Sequence, residues 1–280
     1  QLILGNLNMN IAKEEKNMIA RLTDAYRVGN TPTMLEMEES VCGCRYGATS
    51  WTTQTEAKLI SELLSLTQTK SLLEVGSGSG WPGLYIAKLS KCHLTLIDIP
   101  FSGLSIARDR IIRDQLQNTC NVLAANAYNL PFSPSSFDTI FHADLLCCLF
   151  NKTHALKSMR KVIKNNGCMV FSVISLSPGL SKKDYQQAVS SAPIFVETEK
   201  PYLEILHESK WKVLHQQDIS KEYLESVKAL RNLEKKNKEE LDTLLGFKKN
   251  KDLVAYRKAT ENALEAGLIR RDLYKVDPGI

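Results

Sequence analysis

One seven-residue stretch constrains this chain more than any other: Glu74-Val75-Gly76-Ser77-Gly78-Ser79-Gly80. It closes a short apolar run and stands directly before a helical pattern. Three alternating glycines allow positive φ and let the backbone approach a ligand closely. Around this turn the pattern alternates between the two regular structures. Strands are expected over 71–75, 93–97, 121–125, 137–141 and 168–174, and helices over 82–89, 104–117 and 154–164. Pro82 fits the first turn of its helix, where a missing N–H costs nothing. Asn165-Asn166-Gly167 reads as a left-handed cap on the last of these helices. Strand–helix alternation implies a parallel sheet with helices on both faces, and right-handed crossovers leave few topologies. The expected fold class is therefore α/β, a Rossmann-like doubly wound sheet. Its ligand belongs beyond the carboxyl ends of the strands, at the switch point.

The flanks are more helical. A helix is expected over 11–28, ending at the breaker cluster Gly29-Asn30-Thr31-Pro32. A second is expected over 53–66, with Ile60, Leu63 and Leu64 on its apolar face. After residue 174 come a turn at Pro178-Gly179, a short helix over 182–189 and a strand over 211–217. A long charged helical stretch over 221–266 precedes a last strand over 268–276. Its apolar spacing is too irregular for sustained heptads, which argues against a coiled coil. The chain thus divides into residues 1–66, a helical segment covering cofactor and substrate; 67–218, the core; 219–267, a helical insertion acting as a lid or packing subdomain; and 268–280, the last core strand.

Composition excludes several classes. The 280 residues carry 36 Lys and Arg against 31 Asp and Glu, a net charge of +5. The basic run Lys235-Lys236-Asn237-Lys238 leads straight into Glu239-Glu240, a solvated helix face rather than a phosphate track. Nucleic acid is not an expected partner. No apolar run reaches the roughly 18 residues of a membrane span. The opening Gln1-Leu2-Ile3-Leu4-Gly5-Asn6 is too short an apolar run for a signal peptide, although the missing initiator Met leaves a removed leader open. Seven irregularly spaced cysteines fit free thiols in a reducing cytoplasm. The pair Cys42 and Cys44 has no second pair at zinc-site spacing, so no metal is expected.

The glycine spacing departs from the dinucleotide fingerprint, because Trp81 stands where that pattern has its third glycine. Glu74 sharpens the difference. A carboxylate at the crevice repels a pyrophosphate but suits a ligand with a cationic amine. This favours S-adenosylmethionine over a nicotinamide cofactor, with Gly76, Ser77, Gly78 and Gly80 as the cradle. Asp98 ends the second strand, where a carboxylate can accept both ribose hydroxyls of a nucleoside, with Ile99 beside it. Asn126 can pair with the exocyclic amine of adenine. Ala127 leaves room for the ring and offers a backbone N–H. A plain loop is the competing reading of Asn126 and Ala127.

Taken in order, Leu73 to Gly80, Ile97-Asp98, Asn126-Ala127 before Leu130-Pro131-Phe132, Ser136-Phe137-Asp138 and Val162 to Gly167 resemble the class I methyltransferases. The branch they are most similar to is that of the ubiquinone/menaquinone C-methyltransferases. The resemblance covers about residues 72–174. It implies a seven-stranded sheet whose last strand is antiparallel, with S-adenosylmethionine as cofactor. Two departures stand out. Asn126 replaces the Asp of many relatives, and a long helical segment precedes the last strand where many relatives have a near-hairpin.

Methyl transfer from a sulfonium is an in-line displacement activated by the cofactor itself. The protein aligns the nucleophile and excludes water. A base is needed only for a protonated acceptor. The fourth strand ends in Phe141-His142-Ala143-Asp144, which should lie beside the reactive methyl. It lacks the Asn/Asp-Pro-Pro-aromatic sequence of nucleic-acid amino-methylating enzymes. His142 is a candidate base and cofactor neighbour, or a packing residue. Asp144 can hold a cationic acceptor or cap the next helix. Trp51, Tyr46, Trp81 and Cys147 are the expected substrate wall. The expected function is methyl transfer to oxygen, nitrogen or carbon of a small molecule. The alternatives are a non-catalytic binder of S-adenosylmethionine or S-adenosylhomocysteine, an arsenic or thiol methyltransferase, a nicotinamide oxidoreductase, and a nucleic-acid methyltransferase.

Overall fold

The computed structural model describes residues 13–279. The opening run read for a signal peptide, and the first two residues of the helix expected over 11–28, lie outside them. Short aliphatic runs make the centre of the sheet: β1 (Ser71–Val75), β2 (His93–Asp98), β3 (Cys120–Ala124) and β4 (Phe137–Ala143). They are followed by β5 (Ile163–Leu176), β6 (Trp211–Asp218) and β7 (Ile269–Pro278). The seven strands form one sheet in the order β3-β2-β1-β4-β5-β7-β6. β1 to β5 pair in parallel; β7 runs antiparallel to both β5 and β6. The order reverses between β1 and β4, which opens a crevice beyond their carboxyl ends.

Successive side chains on a strand point to opposite faces. Leu73, Ile97, Ile140 and Phe171 accordingly fill one core layer. Leu72, Leu96, Phe141 and Val170 fill the other. Helices seal both layers, as a parallel sheet requires. On the second face lie α3 (Gln54–Leu64), α4 (Gly83–Ser90) and α5 (Phe101–Arg113), through Ile60, Leu84 and Ile111. On the first lies α6 (Lys152–Val162), through Leu156 and Met159, together with α7 (Lys182–Ser190) and α8 (Tyr202–Glu208). Thr53 caps α3 by accepting from the Glu56 N–H, and Asn151 caps α6 by accepting from the His154 N–H.

Three expectations change. First, Pro32 does not merely stop α1 (Lys13–Gly29). It occupies the first turn of a further helix, α2 (Pro32–Cys42), where its fixed φ is an asset. Second, Asn165-Asn166-Gly167 is not a helix cap. α6 ends at Val162, and β5 runs through all three residues. Gly167 is needed there because a Cβ would stand 2.6 Å from the Asp138 carbonyl oxygen. Third, the long helical stretch before the last strand is three helices: α9 (Ser220–Lys236), α10 (Lys238–Leu245) and α11 (Phe247–Glu265). Gly246, at φ +85°, breaks the run. α9 and α11 are joined by the ion pairs Arg231–Glu261, Arg257–Glu234 and Lys228–Glu265.

Candidate cofactor and acceptor site

The turn after β1 is built from its glycines. Gly76, Gly78 and Gly80 all take positive φ, at +76°, +52° and +93°. The Gly76 and Ser77 N–H groups both donate to the Ile97 carbonyl, at 2.8 and 3.0 Å, which ties the turn to the end of β2. Asp98 completes the tie. One of its oxygens accepts from the Gly78 N–H at 2.8 Å and the other from Ile99 N–H at 2.7 Å. Burial pushes its carboxyl up to about 6 against those two bonds. The hydroxyls of Ser77 and Ser79 are buried without a partner among the described residues. Buried polar atoms are normally satisfied, so these two fit a polar ligand seated in the turn.

Glu74 does not stand free in the crevice. Its carboxyl lies against Gly83 at the start of α4, and only 1% of the residue is exposed. Burial pushes it up to about 8, and its Oε2 has no partner among the described residues. Gly83 leaves no room for a side chain at this contact. Asn126 and Ala127 are both buried beyond β3. The Asn126 side-chain oxygen accepts from the Tyr128 N–H at 2.7 Å, which shapes its own loop.

Asp144 follows β4 in a left-handed conformation, φ +49°, and its backbone N–H donates to the Ser172 carbonyl at 2.9 Å. The turn it begins brings Leu145 against Gly76, 3.0 Å from where a Cβ would stand. The post-β4 turn and the glycine turn are therefore in contact. Cys147 donates from its thiol to the Asp144 carbonyl at 3.1 Å. His142 is wholly buried and stacks on Phe171 with ring centroids 4.8 Å apart. Neither ring nitrogen has a partner among the described residues, and burial pushes the imidazole down to about 3.

The four expected wall residues divide into two groups. Trp81 donates from its indole N–H to the Thr52 carbonyl at 2.7 Å and packs against Tyr46 at 5.1 Å. Both belong to the core layer under α4. Trp51 packs edge-on to Tyr223 of α9 at 5.0 Å, and Arg257 of α11 lies over its ring at 5.5 Å. Trp51 and Cys147 belong to the opposite layer.

Several site residues escaped the sequence reading. Tyr26 of α1 lies over Gly78 and Gly103, which have no Cβ to obstruct its ring. Its hydroxyl meets that of Thr49 at 3.4 Å. Glu38 of α2 accepts from the backbone N–H groups of Tyr46, Gly47 and Ala48 at 2.7, 2.7 and 3.0 Å, and so folds the loop that carries Tyr46. Lys152 is buried and gives its ammonium to the carbonyls of Leu149, Phe195 and Glu197. Arg271 of β7 is 1% exposed. It forks onto Glu56 of α3 at 2.8 and 2.9 Å, reaches both Asp144 oxygens at 3.0 and 3.1 Å, and donates to the Ser172 hydroxyl at 3.0 Å. A pattern with acidic residues at many helix positions marks neither Glu38 nor Glu56. The alternation of β7 would have put Arg271 on one of the two faces, but not on a partner.

Residues 73–171 match the family model described as a methyltransferase domain. The sheet order and the antiparallel end of the sheet are those of the class I S-adenosylmethionine-dependent methyltransferase fold. The chain is 33% identical over 115 residues to the ubiquinone/menaquinone biosynthesis C-methyltransferase of Brucella canis, covering 39% of this chain and 42% of the relative. It is 27% identical over 120 residues to an O-methyltransferase of Aspergillus nomiae, covering 43% and 53%. Among solved structures, phosphoethanolamine N-methyltransferase 2 of Haemonchus contortus, in complex with S-adenosyl-L-methionine, superposes with a TM-score of 0.74. That pair is 14% identical and covers 92% of this chain and 60% of the other, a likeness of fold alone. The matched stretch spans about two fifths to one half of the length of the curated relatives.

Proposed function

We propose that this protein transfers a methyl group from S-adenosylmethionine to oxygen, nitrogen or carbon of a small-molecule acceptor. The observation that carries the reading is Asp98, a half-buried carboxylate at the end of β2 whose two oxygens are already aligned by Gly78 and Ile99. Such a group at the switch point is suited to a pair of vicinal ribose hydroxyls. Asn126 and Ala127 would take the adenine. The Gly76–Gly80 turn, with the unpartnered Ser77 and Ser79 hydroxyls, would take the methionine end. The sulfonium supplies the activation for transfer.

The protein's own part is then alignment and exclusion of water. His142 serves as an apolar wall: an imidazole pushed down to about 3 is a weak proton acceptor. Asp144 acts as a fixed charge, since Arg271 engages both of its oxygens. Trp51, Tyr223 and Cys147 bound the acceptor side. A small acceptor is preferred to nucleic acid because basic residues on the insertion alternate with acids, as in the Lys238–Asp242 and Lys228–Glu265 pairs. A reducing, cytoplasmic setting belongs to the same reading. All seven cysteines are unbridged, and no helix among the described residues is long and apolar enough to cross a membrane. In the same reading, residues 1–66 cover cofactor and substrate, and α9 to α11 form the insertion beside the acceptor.

The test is release of S-adenosylhomocysteine across a panel of phenols, amines and activated-carbon acceptors. Release above the acceptor-free background is the expected result. Cofactor binding without release from any acceptor would favour the non-catalytic binder instead.

A further inference from the structure

The Arg271 cluster holds two carboxyl groups and one guanidinium, so one negative charge is left over when both are ionised; burial pushes Glu56 up while Arg271 draws it down. Side-chain exposure is 1% for Arg271, 9% for Glu56 and 13% for Asp144. Leaving a buried charge unbalanced costs several kcal/mol in proteins. Among the described residues, Arg21 of α1 is exposed and acts on Cys148 from the solvent side, and three other cations are committed elsewhere. Arg257 pairs with Glu234, Arg270 with Asp272 and Asp218, and the Lys152 ammonium lies on three carbonyls. Tyr223, which faces Arg271 at 5.9 Å, carries no charge to offer.

The surplus charge has a definite place. Asp144 is the most exposed member of the cluster, and it is one residue from Leu145, which touches the glycine turn. A second observation points the same way. The Tyr202 hydroxyl is buried without a partner among the described residues, in the same core layer as Cys147 of the post-β4 turn. Beside the Asp144 turn, then, the fold has both a missing cation and a missing hydrogen-bond partner.

We propose that Asp144, held by Arg271 and Glu56, is the counter-charge for the sulfonium of bound S-adenosylmethionine. This rests on the cofactor reading above and adds a specificity to it. The substrate cofactor is a cation at sulfur, whereas the product, S-adenosylhomocysteine, is a neutral sulfide. A carboxylate near the sulfur favours the first over the second and so helps to expel product after transfer. Arg271 is a positioning residue in this scheme: it fixes where Asp144 stands without touching the ligand.

The experiment is calorimetric titration of the full chain with S-adenosylmethionine, S-adenosylhomocysteine and sinefungin, whose protonated amine replaces the sulfonium. Asp144→Asn should weaken S-adenosylmethionine and sinefungin by about tenfold and S-adenosylhomocysteine by less than about twofold, the scale of one charge at close range in a partly buried site. Glu56→Gln removes a charge from the far side of Arg271 and should move the same ratio in the same direction by about threefold. A merely structural role would weaken all three ligands by one common factor. That result, or an unmoved ratio in both variants, overturns the proposal. If Asp144→Asn fails to fold by circular dichroism, the ratio in Glu56→Gln decides alone. If the wild type binds none of the three ligands, the cofactor reading falls and this proposal with it. If it binds them and the ratio stays fixed, only the proposal falls.

Discussion

The two halves of the sheet are put together differently. In the half made of β1 to β3, the residues that would hold a cofactor sit at consecutive strand ends, and their bonds are local: Gly78 to Asp98, Ile99 to Asp98, Tyr128 to Asn126. In the half made of β4 to β7, the key contacts are made between distant parts of the chain. Arg271 meets Glu56 across 215 residues and Asp144 across 127. The first half is a cradle of backbone and small residues. The second is held by side chains from α3, α9 and α11 that reach across the fold. One half can be the same for every acceptor, while the other can be rebuilt for each.

The largest expected effect lies in the second half. Arg271→Leu leaves Glu56 and Asp144 buried without their cation and should cost about 3–5 kcal/mol of stability, read by urea unfolding. Adding Glu56→Leu and Asp144→Asn should recover much of that loss. Equal destabilisation in the single and triple variants would show that Arg271 acts through packing alone.

In the first half, Asp98→Ala should cost about 1.5–3 kcal/mol of S-adenosylmethionine affinity, the range for a hydrogen bond to a charged group. Stability should change little, since the substitution also removes a desolvated carboxylate. A large loss of stability with intact affinity would reverse the roles assigned to the two halves.

Next in size is a pH effect. Burial pushes Asp98 up to about 6, and its charged form is the better acceptor for ribose hydroxyls. Cofactor affinity should therefore fall as pH drops below about 6, approaching tenfold per unit. Asp98→Asn should abolish the dependence. Affinity that is flat from pH 5 to pH 7.5 in the wild type would contradict it.

A second pH effect concerns Glu74, raised by burial from 4.5 to about 8. The folded state holds this proton more tightly than the unfolded chain does. The contribution is thus full below 4.5 and is lost as pH rises through about 8. Glu74→Gln mimics the protonated form. It should raise stability at neutral pH, since the variant takes up no proton on folding, and flatten the decline toward pH 8. A decline that persists unchanged in the variant would assign it to another group.

The same contrast explains what the sequence made legible. β1 to β3, their helices and Asp98 could be read because turn chemistry and strand periodicity are local signals. Pro32 and Gly167 were misread because each has two local meanings, and only tertiary context chooses between them. Pro32 both stops α1 and starts α2. Gly167 looks like a cap but is required by the approach of β5 to the Asp138 carbonyl. Glu56, Glu38 and Arg271 carry no local signal at all. Charged residues on helix and strand positions look alike until the fold buries some of them. Arg270 shows the point: it is the neighbour of Arg271 on β7, yet it pairs with Asp272 and remains 30% exposed.

The account stands most directly on whether the glycine turn and Asp98 form a cofactor cradle. Calorimetric titration of the wild-type chain with S-adenosylmethionine tests that claim. A saturable, one-to-one heat of binding that weakens as the pH is lowered below about 6 is the predicted result. No heat at high micromolar ligand, from protein shown to be folded, would contradict it.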